Sequence, residues 1–300
     1  MAPRVSVIVR TYNRAALVAE SLRSVSAQTE RDLEILVVDD GSTDDTVRVV
    51  EAHARTDSRV RLVRRDHLGP AAALNAGVRE ARGEFLAFLD SDDLWEPASV
   101  ERRLEVLRAN PSCGAALVDW STFGPGPRRP SPSDMGVRET GDLLLTLFRV
   151  NFFSLCAALV PARVVAEVGP FDEDLGASED YDWGLRIAAR HPIAFVPQAL
   201  LRYRSHENHI MTDPRMYRFR CRVLERFAAA HADRLPRPLV RDRLAESHTQ
   251  VGGAFLAAGE FREARRHFLR ALRHRPLRPV VWKALARAIL GLRPRDRMLR

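Results

Sequence analysis

The first hundred residues repeat one alternation. Short runs rich in valine, isoleucine and leucine at residues 5–9, 35–38, 60–63 and 85–89 read as buried strands. Between them, residues 15–27, 44–54 and 70–81 carry helical signals. In the first of these Leu17, Val18, Leu22 and Val25 share one face. Asp39, Asp40, Gly41 and Ser42 form a turn, and Ser42 or Thr43 is placed to cap the second helix. Strands that alternate with helices predict parallel pairing joined by right-handed crossovers.

The middle of the chain is less regular. A helix is expected at 97–109 and a strand at 115–118. The stretch GPGPRRPSPS at 124–133 is expected to be an exposed, mobile loop. A helix near 142–148, a strand near 156–160 and a helix from Ser178 follow. Residues 193–196 and 200–203 read as two closing strands. After residue 213 the strand signal vanishes and three or four amphipathic helices are expected. Within them AFLAAGEFREARRHFLRALRHRP, residues 254–276, resembles a tetratricopeptide-type hairpin, with Gly259 at the turn and Ala264 at a close-packing position. One hairpin is too little for an autonomous solenoid, which needs about three repeats. The expected division is therefore an α/β domain over 1–212 and a helical extension over 213–300.

Ligands of open parallel sheets bind beyond the carboxyl ends of the strands. Three apolar strands end here in polar clusters: Thr11-Tyr12-Asn13-Arg14, Asp39-Asp40-Gly41-Ser42 and Asp90-Ser91-Asp92-Asp93. Together they describe one cleft with an aromatic ring, an amide and several carboxylates. Carboxylates clustered at a strand end are hard oxygen ligands, suited to Mg2+ or Mn2+. Such an ion can stabilise charge that builds on a leaving diphosphate. The bland reading of the acidic cluster is a cap for the helix near residue 97.

Four stretches, SVIVRTYNR (6–14), EILVVDDGSTDDT (34–46), LNAGVREARGEFLAFLDSDDLW (74–95) and SEDYDWGLR (178–186), resemble in order and spacing the motifs of family 2 glycosyltransferases. The resemblance covers roughly residues 4–210. It implies the GT-A fold, a Rossmann-like mixed sheet flanked by helices, with the helical extension appended. It also implies a nucleotide-sugar donor, a divalent metal (Mn2+ or Mg2+) and inversion at the anomeric carbon.

Carried over by residue, the resemblance sets Tyr12 against the nucleobase with Thr11 beside it, and Asp40 on a base N–H, which favours uracil. Asn75 joins the donor-binding set. Asp90 and Asp92 match the Asp-x-Asp motif that holds ribose and metal, with Asp92 the direct ligand, and His206 completes the metal shell. Asp180 is the expected base for the acceptor hydroxyl, with Glu179 and Trp183 lining the acceptor site. Acidic residues are also favoured in the first turn of any helix, which is the alternative for Glu179, Asp180 and Asp182. Two departures stand out. Arg10 replaces the usual proline, and Leu74 stands where arginine is common; Arg10 or Arg14 could supply the missing phosphate contact. No Gln-x-x-Arg-Trp occurs, so transfer of single sugars is expected rather than polymer synthesis.

Charge changes the picture only for the extension. Residues 1–200 hold 23 basic and 30 acidic side chains, and residues 201–300 hold 24 and 9. A basic region of this kind suits an anionic membrane surface, which would bring the cleft to a lipid-linked acceptor; glycans and other hydroxyl acceptors fit equally. It lacks the interleaved aromatics of nucleic-acid binders, so no nucleic-acid partner is expected. Three isolated cysteines, no secretion signal and no span of about 20 apolar residues point to a cytoplasmic protein, peripheral on the inner face of the membrane if it meets lipid. The rival reading is a sugar-nucleotide-binding or scaffolding protein that works through its C-terminal helices. A nucleotidyltransferase fits poorly, because the first strand ends without a glycine-rich loop.

Overall fold

The computed structural model describes residues 2–206 and 214–293, with the side chains of residues 214 and 215 left aside. The chain forms two compact units, Met1–Glu207 and Asn208–Arg300. The boundary expected after residue 212 lies outside the described residues.

The first unit is built on one eight-stranded sheet. Its first half follows the alternation: β1 (Val5–Thr11), α1 (Ala15–Ser26), β2 (Leu33–Asp39), α2 (Thr46–Ala54), β3 (Val60–Arg64), α3 (Pro70–Glu80) and β4 (Phe85–Asp90). These four strands are parallel in the order β3-β2-β1-β4. Their unbroken apolar character follows from helices covering both faces. α3 starts at a proline preset for helical φ, after Gly69 at φ 96°. Further along α3, a Cβ on Gly77 would stand 2.5 Å from Ile8, so only glycine lets the helix lie this close to β1.

Register decides where the chemistry collects. Thr11 pairs with Asp39, and Arg10 pairs with Val38 on one side and Asp90 on the other. The polar clusters read from the sequence therefore end at one level, at the carboxyl edge.

The second half is mixed. It comprises β5 (Leu94–Trp95), α4 (Ser99–Ala109), β6 (Ala115–Phe123), α5 (Leu144–Arg149), β7 (Ala158–Pro161), α6 (Ala162–Val168), α7 (Glu179–Ala188) and β8 (Ile193–Arg204). β7 lies antiparallel between β4 and β6, β6 runs parallel to β8, and β5 pairs antiparallel with β8 at the edge. Three expectations change here. The two closing strands are one strand, because shifts in its register against Val118, Asp119 and Trp120 absorb the Pro197–Gln198 interruption. The sequence reading did not include α6. The 124–133 stretch is hydrogen-bonded into place: Thr122 Oγ1 pairs with the backbone N–H and carbonyl of Arg129, and Ser205 bonds the backbone at Phe123, Gly126 and Pro127.

The second unit contains α8 (Pro214–Ala230), α9 (Arg237–Ala258), α10 (Phe261–His274) and α11 (Pro279–Ile289). Gly259, at φ 82°, ends α9 in the left-handed conformation expected of a helix stop. Val251, Phe255, Ala264, Phe268, Val281 and Leu285 form its core, and Ala264 is fully buried as its position suggested. No described helix is long and apolar enough to cross a membrane.

Candidate active site

Three carboxylates in four positions after β4 raise the question of what offsets their charge. The structure answers with Arg10. Its guanidinium takes Asp90 through Nε and Nη2 and reaches Glu179 with Nη1 at 2.7 Å. β1 and β4 present Arg10 and Asp90 side by side because the two residues are register partners. Burial disfavours the charge on Asp90, but Arg10 outweighs it and holds the carboxyl below its ordinary value. Asp93 is the opposite case. Burial, then the charges of Asp90 and Asp92, push its pKa well up and disfavour its charged form. One of its oxygens accepts the Arg204 N–H, and the other is buried without a partner.

Asp92 lies closer to solvent and pairs with His206 Nε2 at 2.9 Å. The carboxylate and imidazole converge as two ligands of one ion would, and both keep solvent access. A carboxylate and an imidazole together could hold a divalent cation. Donor atoms of Asp93 and Cys156 lie within 4.8 Å of Asp90, yet both groups are buried and burial raises both pKa values. Of these groups, Asp92 and His206 are the ones that could more readily hold a cation. Arg204 donates to the Asp92 carbonyl and to Glu20.

The start of α7 brings the second acidic set. Ser178 adopts φ 72°, and Asn13, after β1, adopts φ 49°; among the described residues these are the only non-glycine positions with positive φ. Strained backbone of this kind persists where surrounding contacts enforce it, and it clusters at functional sites. Asn13 is held by Ser42 Oγ on its N–H and by Thr43 N–H on its side-chain oxygen. Glu179 is buried against Arg10, and Asp180 stands next to it, partly exposed. Burial and then the Glu179 charge push the Asp180 pKa up to about 6. A carboxyl poised there can accept a proton near neutrality.

Tyr12 and Asp40 mark a separate corner. The Tyr12 ring is 41% exposed and stacks on His67 at 4.0 Å between centroids. Asp40 is buried. It accepts N–H bonds from Leu68 and Gly69 and pairs with Arg65 and His67. Beside it Thr11 Oγ1 and one Asp39 oxygen are buried without a hydrogen-bond partner. Buried polar atoms left unpaired are costly, and here they flank an open ring face.

The match to known proteins is specific. Residues 6–167 match the Glycosyl transferase family 2 model, and residues 245–288 match a tetratricopeptide repeat. The chain belongs to glycosyltransferase family 2. It is 32% identical over 211 residues to an uncharacterized glycosyltransferase of Rickettsia conorii, covering 67% of this chain and 34% of that protein. It is 39% identical over 204 residues to an Escherichia coli chondroitin synthase, covering 65% of this chain and 28% of the synthase. The chain thus spans about a third of these relatives. Its fold is shared with S. aureus TarS 1-349 in complex with UDP-GlcNAc (TM-score 0.69, 22% identity, 96% of this chain and 89% of that one). It is shared too with the Pyrobaculum calidifontis mannosyltransferase PcManGT in complex with GDP-Man and Mn2+ (TM-score 0.62, 24% identity, 97% and 80%). The GT-A fold expected from the motifs is the fold observed.

Two residues expected in this family's binding sites serve the scaffold instead. Asn75 is buried and satisfied by protein: it donates to the Phe171 carbonyl and Glu173 and accepts the Phe171 N–H, tying α3 to the 171–173 segment. Trp183 is fully buried. It packs against Phe88 and Phe171, and its indole donates to the Gly169 carbonyl, so it does not line the cleft. Periodicity held the signal for Trp183, which lies four residues before Ile187 on the buried face of α7. Conversely, the sequence reading missed Arg129. Its guanidinium lies over the rings of Trp120 and Tyr203, and its charge lowers the pKa values of both Asp90 and Asp180. His67 was missed as well. Neither carries a motif; both arrive on connections whose course depends on the folded sheet.

Proposed function

We propose that this chain is an inverting, non-processive glycosyltransferase that moves a sugar from a nucleotide-diphosphate donor, UDP-sugars favoured, to an acceptor hydroxyl in cell-surface glycan or glycoconjugate synthesis. Asp180 carries the reading. A carboxyl with its pKa pushed up to about 6 opens α7 next to Glu179, which Arg10 links to Asp90 of the Asp-x-Asp motif. Perturbed acids in a cleft are candidates for proton transfer. The bound nucleotide sugars named for TarS and PcManGT support the donor class.

The reaction follows from these positions. Asp180 takes the proton of the acceptor hydroxyl as its oxygen forms the bond to the anomeric carbon. The bond from that carbon to the diphosphate oxygen breaks on the opposite face. Tyr12 offers its open ring to the base, with Thr11 and Asp40 at the base edge. A divalent cation, Mn2+ or Mg2+, bound at Asp92 and His206 would supply positive charge to the departing diphosphate. Arg129 adds a fixed cation to the same region, and Arg10 keeps Asp90 ionised and in place. Orientation of both substrates accounts for much of the acceleration, on the order of 7–11 kcal/mol in favourable cases.

The test is thermal unfolding with UDP-, GDP-, dTDP- and CMP-sugars, with and without Mn2+, on wild type and Asp92→Ala. A donor at ~100 times its Kd stabilises the native state by about 2.7 kcal/mol. The expected result is a Mn2+-dependent rise with one nucleotide class, lost in Asp92→Ala. No rise with any donor would refute the reading and favour the scaffold.

A further inference from the structure

α11 is apolar on two sides. Val281, Leu285 and Ala288 face inward and are buried. Trp282, Ala286 and Ile289 recur at the same spacing one position on, about 100° round the helix, and are exposed. Val280, Leu290 and Leu292 are exposed as well, and Leu277, in the turn before the helix, is 92% exposed. The Trp282 indole donates to the Pro276 carbonyl at 2.8 Å, which fixes the ring against the turn.

The charge around this surface has one sign. Residues 264–293 hold nine arginine or lysine side chains and no aspartate or glutamate. Arg266, Arg270 and Arg275 meet acids from elsewhere in the unit, Glu263, Glu225 and Asp242. Arg278 follows the exposed Leu277 in the chain, and the exposed Lys283 follows Trp282.

We infer that the outward face of α11 and the turn at Leu277 dock on an anionic membrane surface, with Trp282, Ile289 and Leu277 entering the headgroup layer and the arginines and Lys283 facing lipid phosphates. The inference is independent of the transferase chemistry. Large exposed apolar patches mark interaction surfaces. A second copy of this chain is disfavoured, since it would bring positive charge against positive charge. Tryptophan and branched aliphatics on one helical face with basic residues at its margins match what binds at the interface of an anionic bilayer. Each basic side chain near such a surface strengthens binding roughly fivefold.

The tryptophans make the test direct. Trp95, Trp120 and Trp183 are buried, and Trp282 is 53% exposed, so a change in emission on binding reports Trp282. The full chain is mixed with vesicles of phosphatidylcholine alone or of equal parts phosphatidylcholine and phosphatidylglycerol. The expected result is sedimentation with the anionic vesicles, weakened by salt, with a blue shift of tryptophan emission. Trp282→Phe should keep binding and lose the shift. Trp282→Ser with Ile289→Ser should weaken partitioning at least tenfold, and Lys283→Glu should weaken it while leaving the apolar face intact. All three positions are exposed, and unchanged circular dichroism verifies the fold. Failure to sediment with anionic vesicles at low salt overturns the inference, as does equal binding to neutral vesicles. So does binding that neither shifts the emission nor responds to the double substitution. Retention on polyglutamate without vesicle binding overturns it in favour of an acidic protein partner.

Discussion

Asp180→Asn should make the protein more stable as it makes it inactive. In the native state the carboxyl titrates at about 6, against 3.8 for the ordinary group, because burial and then Glu179 disfavour its charge. Between those values the folded state keeps a proton that the unfolded chain has released. Stability therefore falls as pH rises through the window, and above about pH 6 the full cost is present. Two units at 1.36 kcal/mol each give about 3 kcal/mol, an upper bound because Asp180 is partly exposed and solvent screens its charge. Asparagine abolishes the titration, and its carbonyl can still accept the Tyr181 N–H that Asp180 accepts at 2.6 Å. Denaturant unfolding of wild type and Asp180→Asn at about pH 7.5 and about pH 4 isolates the effect, since only the higher pH ionises the folded carboxyl. The expected result is a gain of up to about 3 kcal/mol at the higher pH and a much smaller gain at the lower. The amide cannot take a proton, so transfer should be lost in the same variant. A gain of equal size at both pH values, or no gain at about pH 7.5, would refute the assignment of a strained native carboxylate.

Arg10→Met should cost about 3 kcal/mol, because it strands Glu179 as a buried, unpaired carboxylate; Arg10→Met with Glu179→Gln should recover part of that loss, and an additive double-mutant cycle by denaturant unfolding would deny the coupling. The helical unit should lose stability in acid. Burial and then the charge of His248 hold His267 down at about 4 against an ordinary 6.5, so protons bind the unfolded chain first as pH falls through that window. The loss is worth about 3 kcal/mol, and it should shrink in His267→Leu when helical circular dichroism is followed against pH. An acid transition unchanged by that substitution would place its origin elsewhere.

Much of the fold was legible because its signals are local. β1, β2, β3 and β4 are apolar runs, α1 has one-sided spacing and α3 is rich in alanine; Gly259 announced its helix end. The second half resisted for physical reasons. β8 looked like two strands because Pro197 breaks the pattern, and only pairing with β6 across a shifted register makes it one. α6 is seven residues long and follows β7 directly, too short for periodicity to separate from the strand before it. The loop at 124–133 reads as exposed and mobile by composition. Its order comes from Thr122 and Ser205, residues that become neighbours only after β6 and β8 pair.

The same division runs through the site. The acids were visible because strand ends and a helix start are sequence features. Their electrostatic balance was not, because it depends on cations delivered by neighbouring strands and loops. Arg10 departs from the family pattern and looked like a substitute phosphate contact. In the fold it is the register partner of Asp90, and from there it reaches Glu179 on α7. One side chain thus joins the strand end of the Asp-x-Asp motif to the helix that presents Asp180. Its charge lowers the pKa values of Asp90 and Asp180, and so does that of Arg129. The Asp180 pKa still rises because burial and Glu179 outweigh both cations. A proline at position 10, as the family pattern has it, would leave Asp90 and Glu179 without their shared counter-charge. A cation at Asp92 and His206 would then have to offset the nearby Asp90 charge as well, so transfer by Arg10→Pro should depend more steeply on Mn2+ than transfer by wild type. Equal Mn2+ dependence in the two proteins would show that a cation at Asp92 and His206 does not offset the charge on Asp90.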